Sequence, residues 1–174
     1  LGGRRASAHD ALATIASHAV SRPVIVDVTS GETADLLYTA LGQGFDVVLA
    51  NKKPLTHSWA GYERLMSACK PGGPRLKYEA TVGAGLPIID TYQKLIETGD
   101  RVLKIEGCVS GTLMHIASAV SAGRPFSEAV REAVERGYAE PDPRDDLSGA
   151  DAGRKALILA RLIGYRGPAP KPDD

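Results

Sequence analysis

Cysteine is scarce in this 174-residue chain. Cys69 and Cys108 stand in different kinds of segment without metal-ligand spacing, which argues against both a disulfide framework and a zinc site. A reducing, cytoplasmic setting fits that usage. Charge of one sign is missing too: 21 basic and 21 acidic residues balance to a formal charge of zero, so nothing suggests nucleic acid or a membrane surface as partner. No apolar run approaches the roughly 18 residues of a membrane span, and no basic-then-apolar leader opens the chain. The expectation is a soluble, unexported protein. The first residue is Leu1 rather than Met, and the close, GPAPKPDD, is Pro-rich and unpatterned. Both ends are those expected of a fragment. No internal repeat is visible, nor low complexity beyond that tail.

What is present is ordinary globular composition, 43% apolar and 24% charged, in a length that suits one domain or two small lobes. Helical spacing over Ser7 to Ala19 is followed by Pro23 and the β-branched run VIVDV, which ends in the polar TSG. Glu32 to Leu41 is again helical, Gly42 and Gly44 end it, and the apolar FDVVLA breaks off at NKKP. Such alternation predicts a parallel sheet covered by helices, with ligands at the carboxyl ends of the strands, where TSG and NKKP lie. Thr56 is a candidate cap for a helix to about Cys69, and RLKYEA reads as a strand after the PGGP turn. Pro87 suits the first turn of a helix from Ile88 to about Thr98. RVLKIEGCVSG reads as a further strand leading to SGT. Helices are then predicted over Leu113 to Ala122, Phe126 to Arg136 and, past an acidic loop, Gly149 to Ile163.

Three stretches carry candidate chemistry. TVGAGLP has glycines between a strand and a helix, but a dinucleotide fingerprint would need Gly at position 88, where Ile88 stands. It is either a tight turn or a turn that points carbonyls at a hard cation. NKKP places two lysines where a buried strand emerges, either solvated or holding a cofactor phosphate or a substrate oxygen. The third stretch, GYAEPDPRDDLSGADAGRK, gathers carboxylates ahead of a helix that turns apolar. Ser148 and Asp151 have capping-box spacing, and Asp151 and Lys155 stand at i and i+4 on one face with Ile158, Leu159 and Leu162. Arg154 and Arg161 point away from that face. Lys155 at the edge of a buried stripe would lose charge stabilisation, at about 1.4 kcal/mol per pKa unit, while a neighbouring carboxylate restores it. The pair is either a surface ion pair or a transferable proton in a dry site.

With VDVTSG, ANKKPL, YEATVGAGLPII, TGDRVLKIEGCVSGTL and GYAEPDPRDDLSGADAGRKALILAR in view, the chain resembles homoserine dehydrogenase, including the kind fused to aspartate kinase. These motifs are long and specific and cover most of residues 26–161. The resemblance implies an α/β fold: a partial Rossmann-like parallel sheet over residues 1–80, then a mixed α/β substrate-binding and dimerisation domain over residues 81–174. It also implies NADP- or NAD-dependent reversible reduction of L-aspartate 4-semialdehyde to L-homoserine, serving threonine, methionine and isoleucine synthesis, in a homodimer that acts on a small molecule.

Carried over by motif, Lys155 matches the family's proton-donating lysine and Lys52 a second lysine near cofactor and substrate. Glu140 and Asp151 match substrate-holding carboxylates, with Asp146 and Thr112 as further substrate-side candidates. Thr29, Ser30 and Gly137 match nicotinamide-side contacts. Glu79, Val82, Ala84 and Leu86 match a monovalent-cation site, usually sodium, built largely of main-chain carbonyls. Family members open with a strand and a G-x-G-x-x-G turn that this sequence lacks, so the 174 residues alone are expected to bind cofactor poorly and turn over little. The rival readings are a non-catalytic or regulatory remnant of the fold, and a nicotinamide dehydrogenase for a related semialdehyde.

Overall fold

The computed structural model describes residues 7–18, 21–139 and 143–168, the Asp145 side chain aside. The chain divides into two compact units, Leu1–Asp90 and Thr91–Asp174.

In the first unit α1 (Ala8–Ser17) opens on a capping box. The Ser7 hydroxyl accepts from the Asp10 amide and the Asp10 carboxylate accepts from the Ser7 amide, so two otherwise orphaned donors are satisfied. Strands β1 (Val24–Asp27), β2 (Asp46–Leu49) and β3 (Leu76–Lys77) lie parallel in that order, with Val24 opposite Asp46 and Val47 opposite Leu76. Between them run α2 (Ala34–Gly42), the single turn α3 (Lys53–Thr56) and α4 (Trp59–Ser67). A 3-10 turn over Glu79–Thr81 leads to α5 (Ile88–Glu97).

Leu37 and Leu41 of α2, Val47 and Leu49 of β2, Leu55 of α3 and Leu65 of α4 are buried and form the core of this unit. Each fully buried aliphatic side chain contributes about 1.5–3 kcal/mol. The cover is on one face only. Val24, Val26 and Val28 stay 53%, 61% and 74% exposed, so the helices expected over the parallel sheet cover one of its faces among the described residues.

Two boundaries differ from the sequence reading in this unit. Thr56 caps nothing, because it is the last residue of α3 and its hydroxyl donates to the Lys53 carbonyl; the Ser58 hydroxyl accepts from the Gly61 amide instead. RLKYEA is strand only at Leu76–Lys77 before it tightens into the 3-10 turn.

The second unit holds α6 (Gly111–Ser121), α7 (Phe126–Glu135), α8 (Arg144–Leu147) and α9 (Ala150–Leu162). Alanines let α6 and α7 approach closely: Ile116 and Ala119 meet Ala129 and Ala133, with Leu147 of α8 packed alongside. The Tyr92 hydroxyl donates to the Leu162 carbonyl. The strand predicted over RVLKIEGCVSG is absent, and residues 101–110 are irregular with Leu103 81% exposed. A strand needs a neighbour for its amides and carbonyls, and the second unit contains no other strand among the described residues.

The predicted capping box of α9 does not form either. Ser148 closes α8 in helical conformation, so Gly149, at φ 71°, turns the chain and stands at the N-cap, while Ser148 Oγ accepts from the Ala150 amide. Arg161, expected to point away from the apolar face, is 4% exposed, because α9 buries Leu157 as well as Ile158 and Leu159 and so sinks on more than one side.

Candidate functional site

The first group of site residues stands at the carboxyl ends of β1 and β2. β1 ends on Asp27, 5% exposed, and Asn51, 4% exposed, stands two residues beyond the end of β2. The Asp27 carboxylate accepts from the Thr29 amide at 3.0 Å, the Thr29 hydroxyl at 2.8 Å, the Thr33 hydroxyl at 2.5 Å and Asn51 Nδ2 at 3.1 Å. Burial alone would raise the pKa of Asp27, but these hydrogen bonds, led by that of Thr33, outweigh it and hold the carboxyl below its ordinary range.

Thr29 and Ser30, expected on the nicotinamide side, are both exposed here. The Thr29 hydroxyl already donates to Asp27. Of the two NKKP lysines, Lys53 pairs with Glu32 at 3.4 Å, and His57 reaches the same carboxylate at 3.0 Å. Lys52 is half-buried at the start of α3.

TVGAGLP forms a turn with two consecutive left-handed residues, Gly83 at φ 86° and Ala84 at φ 51°. Gly83 is required twice over: an added Cβ would also lie 2.3 Å from Ile88 Cδ1. The Glu79 carboxylate accepts from the Ile89 and Asp90 amides at 2.9 and 2.8 Å, which caps α5. Each oxygen of that carboxylate thus accepts one α5 amide. Val82 is buried, while the Leu86 side chain is 65% exposed and its carbonyl accepts from the Ile88 amide. No group of three or more His, Cys, Asp or Glu side chains suited to a metal exists among the described residues.

The second unit brings together Lys155, Asp151 and Val109. Lys155 Nζ lies 2.7 Å from Asp151 Oδ2 and donates to the Val109 carbonyl at 2.9 Å, with its side chain only 18% exposed and that of Asp151 34%. The i, i+4 pairing expected on α9 is thus present, and the irregular segment before SGT supplies a third partner. Thr112 is 6% exposed, and its hydroxyl donates to the Tyr138 carbonyl at 2.5 Å. The Tyr138 ring packs edge-on against His115, one turn further along α6. Gly137, at φ 70°, lets the chain leave α7, whose last carbonyls accept from the Gly137, Tyr138 and Ala139 amides. Asp146 is half-buried in α8. Glu140 lies outside the described residues.

Sequence reasoning missed Asp27, Asn51 and the Val109 carbonyl. A carboxylate two residues before a threonine at a strand end, the D-x-T of VDVTSG, was the available signal for the first, since Asp commonly hydrogen-bonds backbone two residues on. Nothing local marks Val109, whose role is played by a carbonyl.

Residues 3–79 match the family model described as homoserine dehydrogenase, NAD binding domain, and residues 87–171 that described as homoserine dehydrogenase. The bifunctional aspartokinase/homoserine dehydrogenase 2 of Zea mays, named as chloroplastic, is 46% identical over 151 residues, 86% of this chain and 16% of the maize protein. Homoserine dehydrogenase of Paracoccidioides brasiliensis is 40% identical over 172 residues, 93% of this chain and 46% of the fungal one. A hyperthermophilic archaeal homoserine dehydrogenase in complex with NADPH superposes with a TM-score of 0.72 at 34% identity, covering 83% of this chain and 44% of that one. The chain therefore spans less than half the length of these relatives. With both of its stretches matched to models of one family, the chain belongs to the homoserine dehydrogenase family.

Proposed function

We propose that this chain belongs to an NAD(P)-dependent enzyme that reversibly reduces L-aspartate 4-semialdehyde to L-homoserine, with Lys155 as the proton donor. One observation carries the reading: a lysine on α9 whose side chain is only 18% exposed, its ammonium held by one carboxylate and one carbonyl. An ammonium has three N–H groups, and Asp151 and Val109 take two of them. The third is the donor assigned to the substrate carbonyl oxygen.

The substrate bears an ammonium and a carboxylate beside its aldehyde, so carboxylates are needed for the amine and cations for the oxygens. Glu140 and Asp151 are assigned to the amine, with Asp146 in the site wall. The nicotinamide, when bound, supplies the hydride. As negative charge develops on the carbonyl oxygen, Lys155 stabilises it and passes its proton there; in the reverse direction it takes the proton back. Asp151 aims the lysine ammonium.

On the cofactor side the reading uses the strand-end loops of the first unit. Polar backbone at the carboxyl ends of parallel strands suits a nicotinamide, and Thr29, Ser30, Lys52 and Gly137 are the assigned contacts. Residues 1–80 then serve the cofactor, and residues 81–174 the substrate and subunit pairing in a homodimer. The maize relative's name supports a fused aspartokinase as one arrangement, and the NADPH complex of the archaeal structure supports the choice of cofactor. A sodium ion is assigned to the carbonyls of the 79–86 turn. Threonine, methionine and isoleucine synthesis is the assigned purpose. The test is a panel of hydroxy amino acids oxidised with NADP or NAD by the full-length protein. Homoserine should be strongly preferred, and equal or better rates with another hydroxy acid would refute the substrate assignment.

A further inference from the structure

We infer that Asp27 and Asn51 are positioning residues for the cofactor, a polar latch that fixes the two strand-end loops from which Thr29, Ser30 and Lys52 project. This inference rests on the cofactor-side reading proposed above, and its own warrant is the hydrogen-bond pattern.

Asp27 joins the two loops through both its main chain and its side chain. Its carbonyl accepts from the Ala50 amide at 2.9 Å and from the Asn51 amide at 3.3 Å, so the exit of β2 is fastened to the end of β1. Its carboxylate takes four donors, three from the TSG loop and the start of α2 and one from Asn51. Asn51 faces the other way as well. Nδ2 reaches the Gly31 carbonyl at 2.9 Å and Thr33 Oγ1 at 3.1 Å, while Oδ1 accepts from the Lys53 amide at 3.1 Å. Only this orientation of the amide works, since a flip would set oxygen against the Gly31 carbonyl and nitrogen against the Lys53 amide.

Two consequences follow for the assigned cofactor contacts. Thr29 and Ser30 lie between two fixed points, the Asp27 carboxylate and the Gly31 carbonyl. Lys52 lies between Asn51 and the Lys53 amide that Asn51 holds, so the direction in which Lys52 leaves the backbone is set by Asn51. The arrangement also requires acid at one position and amide at the other. Asparagine at 27 would turn an NH2 group toward a hydroxyl or amide donor that now finds a carboxylate oxygen. Aspartate at 51 would set a second carboxylate 3.1 Å from the first and a lone pair against the Gly31 carbonyl.

The experiment uses the full-length protein and the variants Asp27→Asn and Asn51→Ser. NADPH affinity is read by its fluorescence, and steady-state constants by homoserine oxidation, well below each variant's unfolding midpoint. Both variants should raise the Kd for NADPH and the KM for NADP tenfold or more and change the KM for homoserine less than threefold. Leu65→Ala, which opens the core of the same unit without removing any hydrogen bond of Asp27 or Asn51, serves as the stability control: it should lower the midpoint comparably and leave the KM for NADP unchanged. If Asp27→Asn yields no folded protein, Asn51→Ser and Thr33→Val are read in the same way. Unchanged cofactor constants, or a homoserine KM that rises in step with them, would overturn the latch. A wild-type protein that binds NADPH but does not oxidise homoserine refutes the substrate assignment and leaves the latch judged on Kd; failure to bind either nicotinamide overturns both.

Discussion

Lys155→Met separates catalysis from stability, because the structure assigns this side chain a small structural contribution. Methionine keeps most of the apolar stem along α9 and removes the ammonium. The Asp151 pair is an i, i+4 contact with one partner about a third exposed, worth roughly 0.5 kcal/mol. The Val109 carbonyl loses a charged donor, about 1.5 kcal/mol. Unfolding stability should therefore fall by about 2 kcal/mol, a shift of a few degrees in Tm. If Lys155 is the proton donor, kcat should fall by about 10²–10⁴, or roughly 2.7–5.5 kcal/mol of barrier. The assay is steady-state oxidation of homoserine with NADP by the full-length protein, with the folded fraction measured in parallel. A kcat within threefold of wild type, or a loss matched by the unfolded fraction, would remove Lys155 from its catalytic role.

The remaining predictions test the supporting elements. Thr112→Val leaves the Tyr138 carbonyl without its buried donor, so stability should drop by about 1–3 kcal/mol in denaturant unfolding; a rise in the KM for homoserine with stability unchanged would instead make Thr112 a substrate ligand. Gly83→Ala meets both a left-handed φ and Ile88, and should cost about 2–5 kcal/mol, whereas Gly72→Ala, at φ 77° with open space around it, should cost only about 1–2. Equal costs would mean that Ile88 simply moves aside. Asp27 has a lowered folded-state pKa, so its contribution to stability is complete above the unfolded value of about 3.9 and is lost as pH falls through the lower folded one. Urea unfolding across that acid range should show wild type losing more stability than Asp27→Asn, and parallel curves would contradict the assignment.

Much of the fold was legible because it depends on local periodicity. The apolar spacing and Gly stops placed α1, α2, α5, α6, α7 and α9 within a few residues, and VIVDV and FDVVLA became β1 and β2. The failures share a cause in context. RVLKIEGCVSG has strand character, but strand formation needs a paired neighbour, which residue types do not supply. Ser148 has the right spacing for a capping box, yet the preceding turn of α8 holds its backbone helical, and Gly149 takes the corner instead.

The sequence by itself determined the alternation of elements, the helical register that sets Asp151 beneath Lys155, and the motifs that resemble one enzyme family. Those follow from spacing along the chain, which a helix or strand converts directly into direction. Only the tertiary structure decided that Asp27 and Asn51 join two loops, that Thr112 spends its hydroxyl on Tyr138, and that the Val109 carbonyl holds Lys155. Each of these is a hydrogen bond between residues far apart in sequence, and in two of them the acceptor is a backbone carbonyl that every residue carries. No residue type announces such a partner, so folding alone selects which carbonyl or carboxylate meets which donor.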